Sequence, residues 1–201
     1  MTDNQNLEAL KAPGAVFFIF GATGDLARRK LFPAIFSLYQ EGKLAEDFAV
    51  VGVARRPRTN DEFRDDVFRS IQEFGRYKSS DQEKWNTFAE HFEYKSLDIN
   101  NVAGFQELKE QTEAIESKFS IPGNRLFYLA LAPELFGSVS LNLREGGMLD
   151  SPGWHRLVLA KPFGYDLKSA EHLNEDLGHV LQTGEIYRVA PTLGKEWVHN
   201  T

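Results

Sequence analysis

Two segments in direct succession constrain this chain more than anything else in it. An apolar run, Ala15-Val16-Phe17-Phe18-Ile19-Phe20, leads straight into the glycine turn Gly21-Ala22-Thr23-Gly24-Asp25-Leu26. The run does not alternate, so it predicts a strand buried on both faces, and it is too short to span a membrane. After the turn the spacing predicts a helix from Arg28 to Gln40 with Leu26, Leu31, Ile35 and Leu38 on its apolar face, stopped at Gly42. Pro33 lies inside it and predicts a kink. Strand, glycine turn and helix together form a phosphate cradle, in which glycines allow close backbone approach and the free N–H groups of the helix start face the negative charge. The spacing is G-x-x-G rather than the longer G-x-G-x-x-G, so an ordinary strand-to-helix turn is the competing reading. On the cradle reading Gly21, Ala22, Thr23, Gly24, Asp25 and Leu26 contact a cofactor. Arg28, Arg29 and Lys30 put cations in a first helical turn, where the dipole disfavours them unless an anion is near; a solvated face is the alternative.

The second apolar run, Phe48 to Ala54, closes on Arg55-Arg56-Pro57. In a dinucleotide fold this strand ends beside the adenosine ribose, where an acid accepts from the 2'-hydroxyl. Two arginines suit a 2'-phosphate instead, because the guanidinium fork pairs with phosphate oxygens. Arg55 and Arg56 therefore point to NADP, with NAD as a possible but weaker ligand; if the glycine turn is not a cofactor site, a plain basic turn is the competing reading.

Beyond these, apolar runs and helical patterns alternate. Helices are expected over Asn60–Phe74, Asp81–Glu90, Asn101–Phe119, Leu135–Leu143 and Asp166–Leu181, with Asp166 as an N-cap. Strands are expected at Phe92–Leu97, Leu126–Leu131, Arg156–Ala160 and Ile186–Val189. The pattern implies an α/β fold, a Rossmann-like doubly wound, mainly parallel sheet with helices on both faces. Residues 1–12 read as a flexible N-terminus and 13–201 as the dinucleotide-binding domain. With no cysteine, disulfides, thiolate nucleophiles and cysteine-based metal sites are excluded. A formal charge of −6 argues against nonspecific nucleic-acid binding. No apolar run is long enough for a membrane span, which makes a cytoplasmic location the default expectation. No metal motif is present, and His91 reads as a surface residue. Lys161, at a strand end before Pro162 and Gly164, and Lys195, after Gly194, could each meet a phosphate or carbonyl oxygen; a solvated role is equally open.

Several of these segments, in this order, resemble the N-terminal part of the glucose-6-phosphate dehydrogenase family. Gly21 to Leu31 resembles its nucleotide motif, with Pro33 in place. Val51-Gly52-Val53-Ala54-Arg55 resembles its second strand, whose arginine reads the 2'-phosphate. Phe127-Tyr128-Leu129-Ala130 resembles a further strand, whose end implies a cofactor contact at Ala130. Lys161-Pro162-Phe163-Gly164 resembles the motif beside the nicotinamide, and Leu193-Gly194-Lys195-Glu196 flanks the substrate signature. The resemblance implies oxidation of glucose 6-phosphate with hydride transfer to NADP. It assigns Lys161 to cofactor and substrate and Lys195 to the sugar phosphate.

The departures fall in one place. Where the family carries isoleucine, aspartate, histidine and tyrosine between Arg188 and Leu193, this chain has Val189, Ala190, Pro191 and Thr192. Where the family carries glutamate before Lys161, it has Ala160. Alanine and proline cannot orient a base or hold a sugar phosphate. The family also uses a second α+β domain after this point for the substrate pocket, the catalytic histidine and dimerisation. The expectation is a cofactor domain truncated before that unit, with little or no turnover alone and with self-association as an open partner. A non-catalytic NADP-binding domain is the alternative.

Overall fold

The computed structural model describes residues 13–78, 80–160, 177–178, 180–181 and 185–189. Six strands form one sheet: β1 (Val16–Phe20), β2 (Ala49–Ala54), β3 (Phe92–Ser96), β4 (Arg125–Leu129), β5 (His155–Ala160) and β6 (Ile186–Val189). Their order is β3-β2-β1-β4-β5-β6 and every neighbouring pair is parallel. The expected doubly wound Rossmann-like sheet is thus present. The order reverses between β1 and β4, so the chain leaves these adjacent strands in opposite directions and opens a crevice at their carboxyl ends.

The described helices are α1 (Phe32–Gln40), α2 (Asn60–Phe74), α3 (Gln82–Ala89), α4 (Val102–Phe119) and α5 (Phe136–Glu145). Alternate strand residues feed two apolar clusters. Val16, Phe18, Phe20, Phe127 and Leu159 pack with Phe105 and Leu108 of α4 and Phe136 and Val139 of α5. Ile19, Val50, Tyr128 and Val158 face the other way, onto Phe32, Phe36, Phe63 and Phe88. Both faces of the sheet are therefore dry, which is why its strands read as continuous apolar runs.

The first helix differs from its sequence reading. Residues 25–40 are helical throughout, but Ala27–Leu31 is wound as a π-helix, and the Phe32 N–H donates to the Ala27 carbonyl five residues back. Pro33 follows directly. In an unbroken α-helix its ring would press on the Arg29 carbonyl and leave it without a donor; the wider turn absorbs that conflict. The extra residue per turn also rotates the apolar face, so Ala27, Leu31, Phe32 and Phe36 are buried while Leu26, Ile35 and Leu38 are only partly covered. The end is as expected: Gly42 has φ +65°, Lys43 N–H donates to Leu38 O at 2.9 Å and Gly42 N–H to Tyr39 O at 3.1 Å.

The amino ends of the strands are tied by polar side chains. Asn124 donates to Gly14 O at 2.9 Å and accepts from Trp154 N–H at 3.1 Å, bridging the entries to β1 and β5. Arg125, only 1% exposed, grips Glu116 of α4 with two bonds of 2.8 and 3.0 Å and donates to Met148 O at 2.9 Å. The outer edge of β3 is covered by α2: Asn60 accepts from Tyr94 N–H at 2.8 Å and Arg64 donates to Phe92 O at 3.0 Å. An edge whose backbone groups are taken up in this way offers little to a foreign strand.

His91 is half-buried rather than freely exposed. Its ring stacks between Phe48 and Phe119, centroids 4.1 and 4.6 Å away, with Nδ1 2.6 Å from Phe48 O. Sequence periodicity carries no sign of this, because Phe119 comes from the far end of α4.

Candidate dinucleotide site

At the carboxyl edge the glycine turn is wedged between two strands. Gly21 and Ala22 N–H groups donate to Val53 O of β2 at 2.9 and 3.2 Å, and Gly24 N–H donates back to Gly21 O at 2.9 Å. On the other side Ala130 N–H donates to Phe20 O at 2.9 Å. Gly21 has φ +86°, and a β-carbon there would collide with the Ala130 carbonyl; one on Gly24 would come within 3.1 Å of Gly21 O. Gly21 needs glycine for its dihedral and the neighbouring backbone, while a side chain at Gly24 would press tightly on the Gly21 oxygen.

Beside the turn lies a cleft of about 380 Å³ lined by Ala22, Thr23, Arg28, Arg56, Arg58, Asp66 and Arg69. Four guanidinium groups face one carboxylate. The loop that carries two of them is pinned from β3, since Tyr94 Oη donates to Arg56 O at 2.6 Å and Ser96 Oγ to Arg55 O at 3.0 Å. Burial holds the Tyr94 phenol above its usual pKa, so it remains a donor. The loop then enters α2 through a capping box: Thr59 N–H donates to Glu62 Oε2 at 2.7 Å, and Glu62 N–H donates to Thr59 Oγ1 at 3.1 Å.

Arg69 and Asp66 reach the cleft because α2 lies close on β2. A β-carbon on Gly52 would collide with the tip of the Phe63 ring, so glycine there lets that ring seat directly on the strand. Asp66 then pairs with both Arg58 and Arg69, and this carboxylate raises the Arg69 pKa. Arg58 Nε is buried and has no hydrogen-bond partner among the described residues.

These features fit the anionic groups of a phosphorylated dinucleotide. A glycine cradle accepts close approach, the cleft carries excess positive charge, and one buried donor lacks an acceptor. Among the described residues no cluster of three or more histidine, aspartate or glutamate side chains is arranged to hold a metal ion, and no helix is long and apolar enough to cross a membrane.

Of the residues singled out from sequence, Ala22, Thr23 and Arg56 line the cleft, and Arg28 of the basic cluster joins them. Gly21, Gly24 and Ala130 build the turn. Leu26 is partly buried against the α1 face, and Asp25 is exposed and pairs with Arg29 at 3.0 Å. Arg55 has an exposed side chain and lies outside the cleft lining. Lys161 and Lys195 lie outside the described residues, as do Ala190, Pro191, Thr192 and the expected cap Asp166; Ala160, the last residue of β5, is buried. Sequence reading misses Arg58, Asp66 and Arg69. The (i, i+3) spacing of Asp66 and Arg69 is visible in the sequence, but it describes many solvated helix faces equally well.

His91 and His155 stand at the amino ends of β3 and β5, the edge opposite the cleft. Burial pushes both below the ordinary imidazole pKa, helped at His155 by nearby Arg125. Ser151 Oγ lies 2.8 Å from His155 Nε2 and donates to Gly123 O at 2.5 Å, so its proton is already committed to a carbonyl.

Residues 18–200 match the family described as glucose-6-phosphate dehydrogenase, NAD binding domain. The glucose-6-phosphate 1-dehydrogenase of Bacillus subtilis is 46% identical over 188 residues, which is 94% of this chain and 37% of that protein. That of Leuconostoc mesenteroides is 41% identical over 90% of this chain and 36% of its own length. A solved glucose-6-phosphate dehydrogenase in complex with its substrate glucose-6-phosphate superposes with a TM-score of 0.79 at 35% identity, covering 90% of this chain and 37% of that one. The chain thus spans a little over a third of the length of the relatives it matches.

Proposed function

Because the chain belongs to the glucose-6-phosphate dehydrogenase family, through that family's NAD binding domain, we propose that it binds NADP at the carboxyl edge of its sheet. The observation that carries this reading is the arginine-lined cleft directly beside the glycine turn. In the proposed mode the turn from Gly21 to Leu26 accepts the pyrophosphate, with Ala130 closing its far side. Arg55, Arg56 and Arg28 attract the 2'-phosphate and so favour NADP over NAD. When bound, the dinucleotide supplies the hydride acceptor for oxidation of glucose 6-phosphate to 6-phosphogluconolactone. Lys161, directly after β5, contacts substrate and nicotinamide in this reading, and Lys195 contacts the sugar phosphate.

For turnover the chain depends on groups beyond those described. Ala160, Ala190 and Pro191 stand where the family resemblance leads to a glutamate, an aspartate and a histidine. They favour a second form of the same proposal, in which residues 13–201 are a non-catalytic NADP-binding unit with little or no activity by themselves. A cytoplasmic setting belongs to the same proposal.

The test is calorimetric titration of the chain with NADP and with NAD, repeated with Arg55→Ala, and an assay of glucose 6-phosphate oxidation. Saturable NADP binding that weakens in the variant supports the cofactor reading, and the assay then separates its two forms. A folded chain that binds neither dinucleotide overturns both.

A further inference from the structure

Asp66 is out of place in an anion cleft unless it has work there. A carboxylate repels the ligand that Arg28, Arg56, Arg58 and Arg69 attract, and replacing it with a neutral side chain ought to strengthen phosphate binding if charge alone mattered. Its contacts suggest why it is kept. Asp66 pairs with Arg58 and with Arg69, and its side chain is only 24% exposed. It therefore holds two like-charged forks together that would otherwise repel each other and swing into water.

The geometry at Arg58 is the more telling half. Its Nη1 is engaged by Asp66, while its Nε–H is buried with no hydrogen-bond partner among the described residues, in a side chain that lines the cleft. A buried donor without an acceptor is costly, and the pairing of the same guanidinium with Asp66 offsets that cost. Two neighbours are committed elsewhere: Tyr94 donates to Arg56 O, and Thr59 caps α2.

We propose that Arg58 is a specificity-determining residue of this site, its guanidinium pairing from the cleft wall with a phosphate monoester on the ribose of the dinucleotide, and that Asp66 is the positioning residue that holds it there. The inference rests on the NADP-binding reading above. It adds that discrimination between NADP and NAD depends on a carboxylate that touches neither ligand.

The experiment is calorimetric titration of the chain and of Asp66→Asn, Arg58→Met and the double variant with NADP and with NAD, each variant first checked by thermal melting. Loss of one charge-assisted bond weakens NADP about tenfold in either single variant and leaves NAD within about twofold. Because Asp66 acts through Arg58, the double variant binds NADP no more weakly than Arg58→Met alone. Tighter NADP binding by Asp66→Asn overturns the inference, since the carboxylate then only opposes the anion. Unchanged NADP binding in Arg58→Met overturns it as well, and this variant decides should Asp66→Asn fail to fold. A folded parent chain that binds no dinucleotide removes the underlying reading and this inference with it, whereas a parent that binds NADP beside unaffected variants removes the inference alone.

Discussion

The carbonyl oxygen of Ala130 occupies the space that a β-carbon on Gly21 would need. Two segments more than a hundred positions apart in the sequence thus set the shape of one turn, and the left-handed φ of +86° at Gly21 adds a second demand for glycine. Gly21→Ala is expected to destabilise the fold by about 2 kcal/mol or more, the sum of left-handed strain and a backbone collision. Urea unfolding measures it. Dinucleotide binding should fall with it even where the variant remains folded, because relief of the collision moves the turn.

Gly52→Ala tests how closely α2 must sit on β2. The added methyl meets the Phe63 ring, a buried side chain with packed neighbours, so the helix has to shift. Overpacking of this kind costs about 1–3 kcal/mol. The same shift moves Asp66 and Arg69, so NADP affinity should drop beyond any effect on NAD, which calorimetry on the folded fraction reads.

Glu116→Ala strips Arg125 of a two-bond partner in a place where the guanidinium is 1% exposed. Breaking a buried pair from one side leaves an uncompensated charge and costs about 3–5 kcal/mol. Replacing both partners, Glu116→Leu with Arg125→Met, should cost clearly less than Glu116→Ala. Denaturant midpoints of the three variants check the order.

Acid should weaken the fold in a window set by two histidines. Burial lowers the folded pKa of His91 and His155 below the ordinary value of 6.5. The unfolded chain therefore binds protons first as pH falls, so stability is full above about 6.5 and declines from there down through the folded values. Urea midpoints at pH 7.5 and 5.5 should differ, and the difference should shrink in His91→Phe, which keeps the stack between Phe48 and Phe119 but cannot charge. The lowered carboxylates Glu41, Glu107 and Glu113 titrate below their ordinary 4.5 and act only in more acidic solution.

Most of the sheet is legible in the order of the residues. Strands buried on both faces are apolar along most of their length, so β1, β2, β4 and β5 announce themselves, and helices that cover one face show it by spacing. The face predicted for the first helix does pack on the core, with Leu31 buried and Leu26, Ile35 and Leu38 partly covered, but the π-turn before Pro33 seats Ala27, Phe32 and Phe36 deepest, and spacing alone carries no sign of that turn. The partial burial of His91 escapes the sequence for a different reason: exposure is a property of what packs over a residue, and Phe48 and Phe119 come from separate elements.

By itself, the sequence determined the doubly wound sheet, the glycine turn at its switch point, and the arginines that close β2, since each follows from residues close together along the chain. Only the tertiary structure decided that Arg28, Arg56, Arg58, Asp66 and Arg69 share one cleft. They come from three segments brought together by parallel pairing of β1 with β2 and by the seat of Phe63 on Gly52, and charge at a distance along the chain carries no record of nearness in space.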